Sequence, residues 1–307
     1  MDDVLPLIDN VEKVIIGKRP VVDLAEIAML CRGHVLLEDV PGTGKTMLAR
    51  ALARSVAVDM KRLQCTPDLL PSDITGVPVW NQKTADFEFR PGPVFTHLLL
   101  ADEINRATPR AQSALLECME EYRVSVDGVT HPLPALFMVL ATQNPIDMAG
   151  THPLPEAQLD RFFVRLSVGY PTVDEEVRIL AAQARAHPIE SLQAVMTETA
   201  VLAAREKVRE VRLGPEVAHY AARIAAATRT HPDLRLGASP RGTLALARGA
   251  QGLAYLRGRS FVTPDLVKAM AAPVLEHRLI VRPQAAAVGR HAGTILGEVL
   301  DSVRPPV

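Results

Sequence analysis

Asp39-Val-Pro-Gly-Thr-Gly-Lys-Thr46 follows directly on the apolar run Val35-Leu-Leu37, and this junction of strand and glycine loop decides the fold. Gly42 and Gly44 permit left-handed backbone, which turns successive N–H groups inward around an anion. The helix that follows presents its positive end to the same anion. The stretch Pro41, Gly42, Thr43, Gly44, Lys45, Thr46 and Met47 is therefore expected to touch a nucleotide. Lys45 reaches the β- and γ-phosphates and the Thr46 hydroxyl a magnesium ion. A general phosphate loop opens on glycine, whereas this one opens on Asp39, so the match rests on its Gly-Lys-Thr half.

Outward from the loop, apolar runs at 35–37, 98–101, 136–141 and 163–168 alternate with helical segments. Such alternation predicts an α/β fold with a buried parallel sheet sandwiched by helices. Ahead of it, Val4, Ile8, Val11 and Ile15 recur at helical spacing, and a second helix is signalled by Pro20 at its start and Gly33 past its end. Thr108-Pro109 opens a helix with Ala111, Leu115, Cys118 and Met119 on one face, and Asp127-Gly128 marks a hairpin of 123–126 with 129–132. Gly169-Tyr-Pro171 breaks the pattern and is the expected boundary between a first domain, 1–170, and an alanine-rich helical one, 171–307. In the latter, Thr172 with Glu175 forms a capping box, while Gly214-Pro215, Ser239-Pro240 and Thr263-Pro264 each pair a cap with proline at the first helical position, predicting four to five helices.

Leu98-Leu-Leu-Ala-Asp102-Glu103 delivers two adjacent carboxylates to the C-terminal end of a buried strand, the edge where open α/β sheets bind ligands. Asp102 is placed to hold the magnesium ion of Thr46, and Glu103 to orient and polarise the water that attacks the γ-phosphate. Thr142-Gln-Asn144-Pro145 ends the run at 136–141, so Asn144 arrives at the same edge and faces that water from the opposite side.

With 307 residues, 48% of them apolar, the chain is long enough for two folded domains. Its formal net charge of -1, from 34 basic and 35 acidic residues, provides no general field for nucleic acid or an anionic membrane. No apolar run approaches the ~18 residues that span a bilayer. The acidic Met1-Asp-Asp3 start resembles no secretory signal, and Cys31, Cys65 and Cys118 are dispersed in apolar surroundings as reduced thiols would be. The expected compartment is the cytoplasm. His34 and His97 abut strands, His152 and His277 lie in helical surroundings, and the four form no metal constellation.

Three stretches resemble the MoxR branch of the AAA+ ATPases: 34–46 (HVLLEDVPGTGKT), 100–121 (LADEINRATPRAQSALLECMEE) and 152–163 (HPLPEAQLDRFF). Shorter matches at 72–76, 89–95, 239–242 and 274–279 extend the similarity over about residues 15–281. The resemblance implies a parallel five-stranded sheet with a C-terminal all-α lid, ATP and Mg2+ as cofactors, and a homo-oligomeric, hexameric ring. It makes Arg161 the arginine finger that reaches the neighbouring subunit's nucleotide, and Arg241 the sensor arginine that the second domain lays over the γ-phosphate. Ile16 and Gly17 match the adenine-contacting stretch, while Arg106 and Glu120 are matched without a catalytic role. The work implied is chaperone-like remodelling of a protein client, commonly one with a von Willebrand factor A domain, with metal insertion among its outcomes. Segment 72–92 and the Asp127-Gly128 hairpin correspond to two insertions, where Trp80, Phe87 and Phe89 are placed either to grip a client or to pack on their own strands. A nucleic-acid-stimulated motor is the rival, disfavoured by the neutral charge and the lack of a basic arm.

Overall fold

The computed structural model describes residues 4–40, 42–144, 151–184 and 186–306. Five strands, β1 (Val35–Glu38), β2 (Met60–Gln64), β3 (Leu98–Asp102), β4 (Met138–Gln143) and β5 (Val164–Leu166), form one parallel sheet in the order β2-β3-β4-β1-β5. Its central strands are apolar without interruption because both faces are buried. Leu98, Leu100, Met138 and Leu140 join a core shared with the N-terminal helices and those of the second half, whereas Leu99, Ala101, Val139 and Ala141 pack on Ala111, Leu115 and Met119 beneath the opposite face.

Strand β2 carries no apolar run and escapes the sequence pattern. Met60-Lys-Arg-Leu-Gln64 is an edge strand with only Leu63 buried, so neither the two-faced nor the alternating signature is strong. Strand β4 begins two residues later than its apolar run and extends through Thr142 and Gln143, since Leu136 and Phe137 are buried ahead of the ladder. Register then does the positioning: Gln64 lies opposite Asp102 and Glu38 opposite Gln143, which brings four polar strand ends to one edge.

The Asp127-Gly128 hairpin forms as its turn demands, with Asp127 and Gly128 both at positive φ. A second hairpin, Gly76–Asn81 with Asp86–Pro91, fills the other insertion. Trp80 and Phe87 meet edge-on at 5.2 Å and are half or more exposed, whereas Phe89 stacks on His131 of the first hairpin at 4.1 Å.

The second half is larger than its caps suggest. Among the described residues it contains six helices of ten or more residues: Val173–Ala182, Glu198–Glu210, Pro215–Thr230, Pro240–Leu256, Pro264–Leu275 and Ala292–Ser302. The Thr172–Glu175 capping box forms, and Ser239 caps its helix by accepting from Gly242 N. The extra helices are Glu198–Glu210, capped by Thr197 without a following proline, and Ala292–Ser302, which has no side-chain cap. A short antiparallel pair, Leu234–Leu236 with Ile280–Val281, also joins this half, its strands too brief for a periodic signal.

Candidate nucleotide site

Backbone geometry at the phosphate loop is that of an anion cradle. Gly42 and Gly44 have φ of +86° and +91°, and a Cβ at either would meet no atom within 4 Å, so the glycines serve conformation and leave the space beside them open. The helix Lys45–Val56 starts immediately afterwards. Lys45 Nζ donates to the loop's own carbonyls, Asp39 O at 2.8 Å and Val40 O at 2.7 Å. Burial lowers the pKa of its ammonium, while the charges of Asp39, Asp102 and Glu103 pull the other way.

Asp39, the departure from the general loop pattern, has a structural use. Its buried carboxylate accepts from Val40 N at 2.8 Å, from Gly169 N at 2.6 Å and from the Ser167 hydroxyl at 3.3 Å. Glycine here would leave the start of the loop untied from the segment that leads into the second half.

Asp102 and Glu103 reach the edge as expected, and Thr142 joins them. The Thr142 hydroxyl donates to Asp102 Oδ1 at 2.6 Å and accepts from Glu103 N at 2.8 Å, so both its capacities are used. Glu103 sits at φ +57°, a left-handed strain of ~1 kcal/mol for a residue with a Cβ, of the kind that gathers at functional sites. Its side chain is held by Arg106 at 2.9 Å and Gln64 at 3.4 Å. Arg62 Nη2 pairs with Asp102 Oδ2 at 2.5 Å. Arg62 and Gln64 carry no local sequence signal because each acts through strand register; Thr142 stands in the polar strand end read from the sequence, but its bridging role depends on the neighbouring strand.

Asp39, Gly42, Gly44, Lys45, Thr46, Asp102, Glu103 and Asn144 line one cleft of about 360 Å³. A second cavity of about 230 Å³ shares Gly42 and Gly44 with it and adds Ile16, Thr43, Met47, Pro171 and Ile179. The first is lined by charged and polar side chains of the kind phosphates meet, and the second sets the apolar Ile16, Met47 and Ile179 beside Lys18, Gln183 and His187. Gly17 is absent from both linings: at φ +77° its open side faces the Glu175 carboxylate, with which a Cβ would collide. Pro41 and Pro145 lie outside the described residues.

Arg161 and Arg241 do not line either cavity; both pair with Glu120. Arg161 Nη2 lies 3.0 Å from Glu120 Oε2, and Arg241 Nη2 pairs with Glu120 Oε1. Arg241 is thus absent from the lining of the phosphate-loop cleft, and the start of its helix is fastened to the Arg161 segment by Ser239 Oγ donating to Asp160 Oδ2 at 2.9 Å. Arg278, buried, donates from Nε to the same carboxylate at 2.8 Å and from Nη2 to Phe162 O at 2.6 Å. Glu120 and Asp160 are thus the residues that place the two arginines.

The Thr46 hydroxyl and the Asp102 carboxylate share the cleft and are hard oxygen donors of the kind magnesium takes together with phosphate oxygens, so the residues fit that ion. Among the described residues no group of His, Cys, Asp and Glu forms a separate metal cluster, and no helix is long and apolar enough to cross a membrane.

Comparison with known proteins agrees with this geometry. The model of the ATPase family associated with various cellular activities (AAA) matches residues 34–164, and that of the AAA lid domain matches residues 226–299. An uncharacterised Bacillus subtilis protein, YeaC, is 47% identical over 100% of this chain and 97% of its own length. Chaperone MoxR1 of Mycobacterium tuberculosis is 38% identical over 97% of this chain and 81% of its own length, and protein MoxR of Paracoccus denitrificans is 32% identical over 88% and 86%. A solved structure of a candidate ATPase from Cytophaga hutchinsonii superposes with a TM-score of 0.93 at 35% identity, covering 100% of this chain and 96% of that one. Sheet order, phosphate loop, acidic strand end and helical lid all accord with these matches, and the chain belongs to the MoxR-type AAA+ ATPases.

Proposed function

We propose that the chain is a magnesium-dependent ATP hydrolase, converting ATP and water to ADP and phosphate, and that it works in the cytoplasm as a hexameric ring with each nucleotide between two copies. One separation carries this reading: Lys45, Thr46, Asp102, Glu103 and Asn144 line one cleft, while Arg161 and Arg241 gather around Glu120 away from it. One copy supplies the phosphate grip and the water-orienting groups; the arginines of another complete the site. Both arginines then act in trans.

In the cleft, phosphate oxygens take over the Lys45 ammonium from the carbonyls of Asp39 and Val40. Thr46 and Asp102 would hold magnesium, which would supply neutralisation of phosphate charge. Glu103 orients the attacking water once it leaves Arg106 and Gln64, and Asn144 holds that water from the other side. Arg161 and Arg241 offset the charge that builds on the transferred phosphoryl group, an effect of about 10³–10⁵ in rate for a finger arginine. The cavity lined by Met47 and by Ile179 of the helix Val173–Ala182 would take the base, so nucleotide occupancy would bias the angle between the first domain, 1–170, and the lid, 171–307.

That motion would remodel a protein client, as the name of the M. tuberculosis relative as a chaperone supports. The resemblance suggests a client with a von Willebrand factor A domain, brought to maturity or loaded with a metal. Exposed Trp80 and Phe87 are available to grip it; Phe89, stacked on His131, joins the two hairpins instead.

The test is ATP turnover per chain against protein concentration, with Arg161→Ala beside the wild type. Turnover should rise with concentration, and the variant should bind ATP while losing about 10³-fold or more of its rate. A strictly monomeric preparation at full rate would overturn the shared site. Strong stimulation by single- or double-stranded DNA would favour the nucleic-acid motor over the chaperone.

A further inference from the structure

Positive charge gathers at a second place, where the helix Arg19–Leu30 of the first half meets Glu198–Glu210 and Pro240–Leu256 of the second. Arg32, Arg205, Arg209 and Arg248 line a cavity there that shares no residue with the nucleotide cleft. Arg205 is its floor, 5% exposed. Its Nε donates to Met29 O and its Nη1 to Ala135 O, both at 2.9 Å, which ties the lid helix to the end of Arg19–Leu30. The third nitrogen, Nη2, is buried and has no hydrogen-bond partner. Leaving a charged donor unsatisfied is costly, so this nitrogen calls for an acceptor from outside.

The cavity that Arg205 lines is about 20 Å³, room for one oxygen-sized atom by the ~10–15 Å³ that a single water needs. Arg32, Arg209 and Arg248 are exposed around the mouth. Arg32 is oriented by Tyr122, whose ring lies 4.0 Å below its guanidinium and whose hydroxyl donates to its carbonyl at 2.7 Å. Counter-charge is scarce: Glu206 pairs with Arg209, and burial pushes the Cys31 thiol up to about 12, so it stays neutral. Burial first, then the charges of Arg32 and Arg209, bring Arg205 down to about 10, and the largest opposing influence is that of Tyr122. Among the described residues four guanidiniums and no carboxylate line the cavity, more positive charge than a single carboxylate ligand would balance.

We propose that this pocket binds a phosphoryl dianion, one oxygen seated on Arg205 Nη2 and the others spanned by the guanidiniums at the mouth. Bound there, the anion joins the Arg19–Leu30 helix to two lid helices at a point remote from the ATP phosphates. It would stiffen the joint that nucleotide turnover has to bend.

The experiment titrates inorganic phosphate, and pyrophosphate in a second arm, into the full chain carrying Lys45→Ala, which weakens phosphate binding at the catalytic loop. Binding is read by 31P NMR line width and by calorimetry at constant ionic strength. One site per chain is expected, weakened about tenfold or more by Arg209→Ala and again by Arg248→Ala, as loss of a charge-assisted hydrogen bond implies. Both arginines are exposed, so these variants fold even if Arg205→Met does not. Tighter binding of pyrophosphate would assign the pocket to a polyphosphate tail, and equal or weaker binding to the free anion. The proposal is overturned by absence of binding, by unchanged affinity in the Arg209→Ala/Arg248→Ala double variant, or by chloride displacing phosphate equally well.

Discussion

Asp160 accepts a 2.9 Å hydrogen bond from the Ser239 hydroxyl, and through it the segment carrying Arg161 is fastened to the helix carrying Arg241. The same carboxylate takes Arg278 Nε at 2.8 Å. The two arginines are therefore fixed as a unit at their bases and joined at their tips by Glu120. Ser239→Ala removes this link and the helix cap, so a loss of about 1 kcal/mol is expected in urea unfolding. On the proposal that the unit serves another copy's nucleotide, ATP turnover should fall with ATP affinity unchanged. Equal loss of affinity and rate would place Arg241 over its own nucleotide instead.

Glu120 restrains both arginines but makes only half-exposed ion pairs with them. Glu120→Gln should therefore change stability by less than about 1 kcal/mol. Its turnover should stay within about tenfold of the wild type, far from the loss given by a missing finger. A loss as deep as that of Arg161→Ala would show that Glu120 itself takes part in the reaction.

Arg62 occupies one oxygen of Asp102, the carboxylate proposed to hold magnesium. Removing it with Arg62→Ala should lower the magnesium concentration for half-maximal turnover by about fivefold, the equivalent of ~1 kcal/mol for a charge pair near water. An unchanged magnesium requirement would mean that the Arg62 pair does not compete with the ion.

Asp39→Gly restores the general loop pattern and should nevertheless harm this chain. It strands the Gly169 N–H and frees the loop's start, at a cost of about 2–3 kcal/mol in urea unfolding. ATP affinity should fall as well. A variant as stable as the wild type would remove the structural reason given for the aspartate.

His34 supplies a pH test. Its Nδ1 accepts from Val139 N at 3.0 Å and its Nε2 lies 3.0 Å from Met119 O, and burial lowers its pKa from 6.5 to about 4. The unfolded chain therefore binds this proton first on acidification. Between pH 6.5 and 4 stability falls by about 1.4 kcal/mol per pH unit on account of this group, and above 6.5 the contribution is constant. Buried His277, also lowered by burial, adds in the same direction. Urea unfolding of His34→Gln across this range should show a shallower slope; a slope equal to that of the wild type would exclude His34 as the source.

The phosphate loop, the acidic strand end, four of the five strands and most of the helix caps were legible in the sequence because each is written in neighbouring residues: glycines where φ is positive, proline after a cap, an apolar run where both faces are buried. Asp102, Glu103 and Asn144 could be assigned to one edge for the same reason, since each ends a strand whose direction the phosphate loop fixes. Tertiary structure alone decided what surrounds them. Gln64 and Arg62 reach the acids through the register of an edge strand with no apolar run, and Thr142 bridges two strands. Asp39 shows its use only when Gly169, 130 residues further on, comes beside it. The largest such decision concerns Arg241, which a local motif places in a helix but not over any particular phosphate. Packing of Ser239 and Arg278 on Asp160 set it beside Arg161 rather than Lys45, because a long side chain's reach is determined by what anchors its helix.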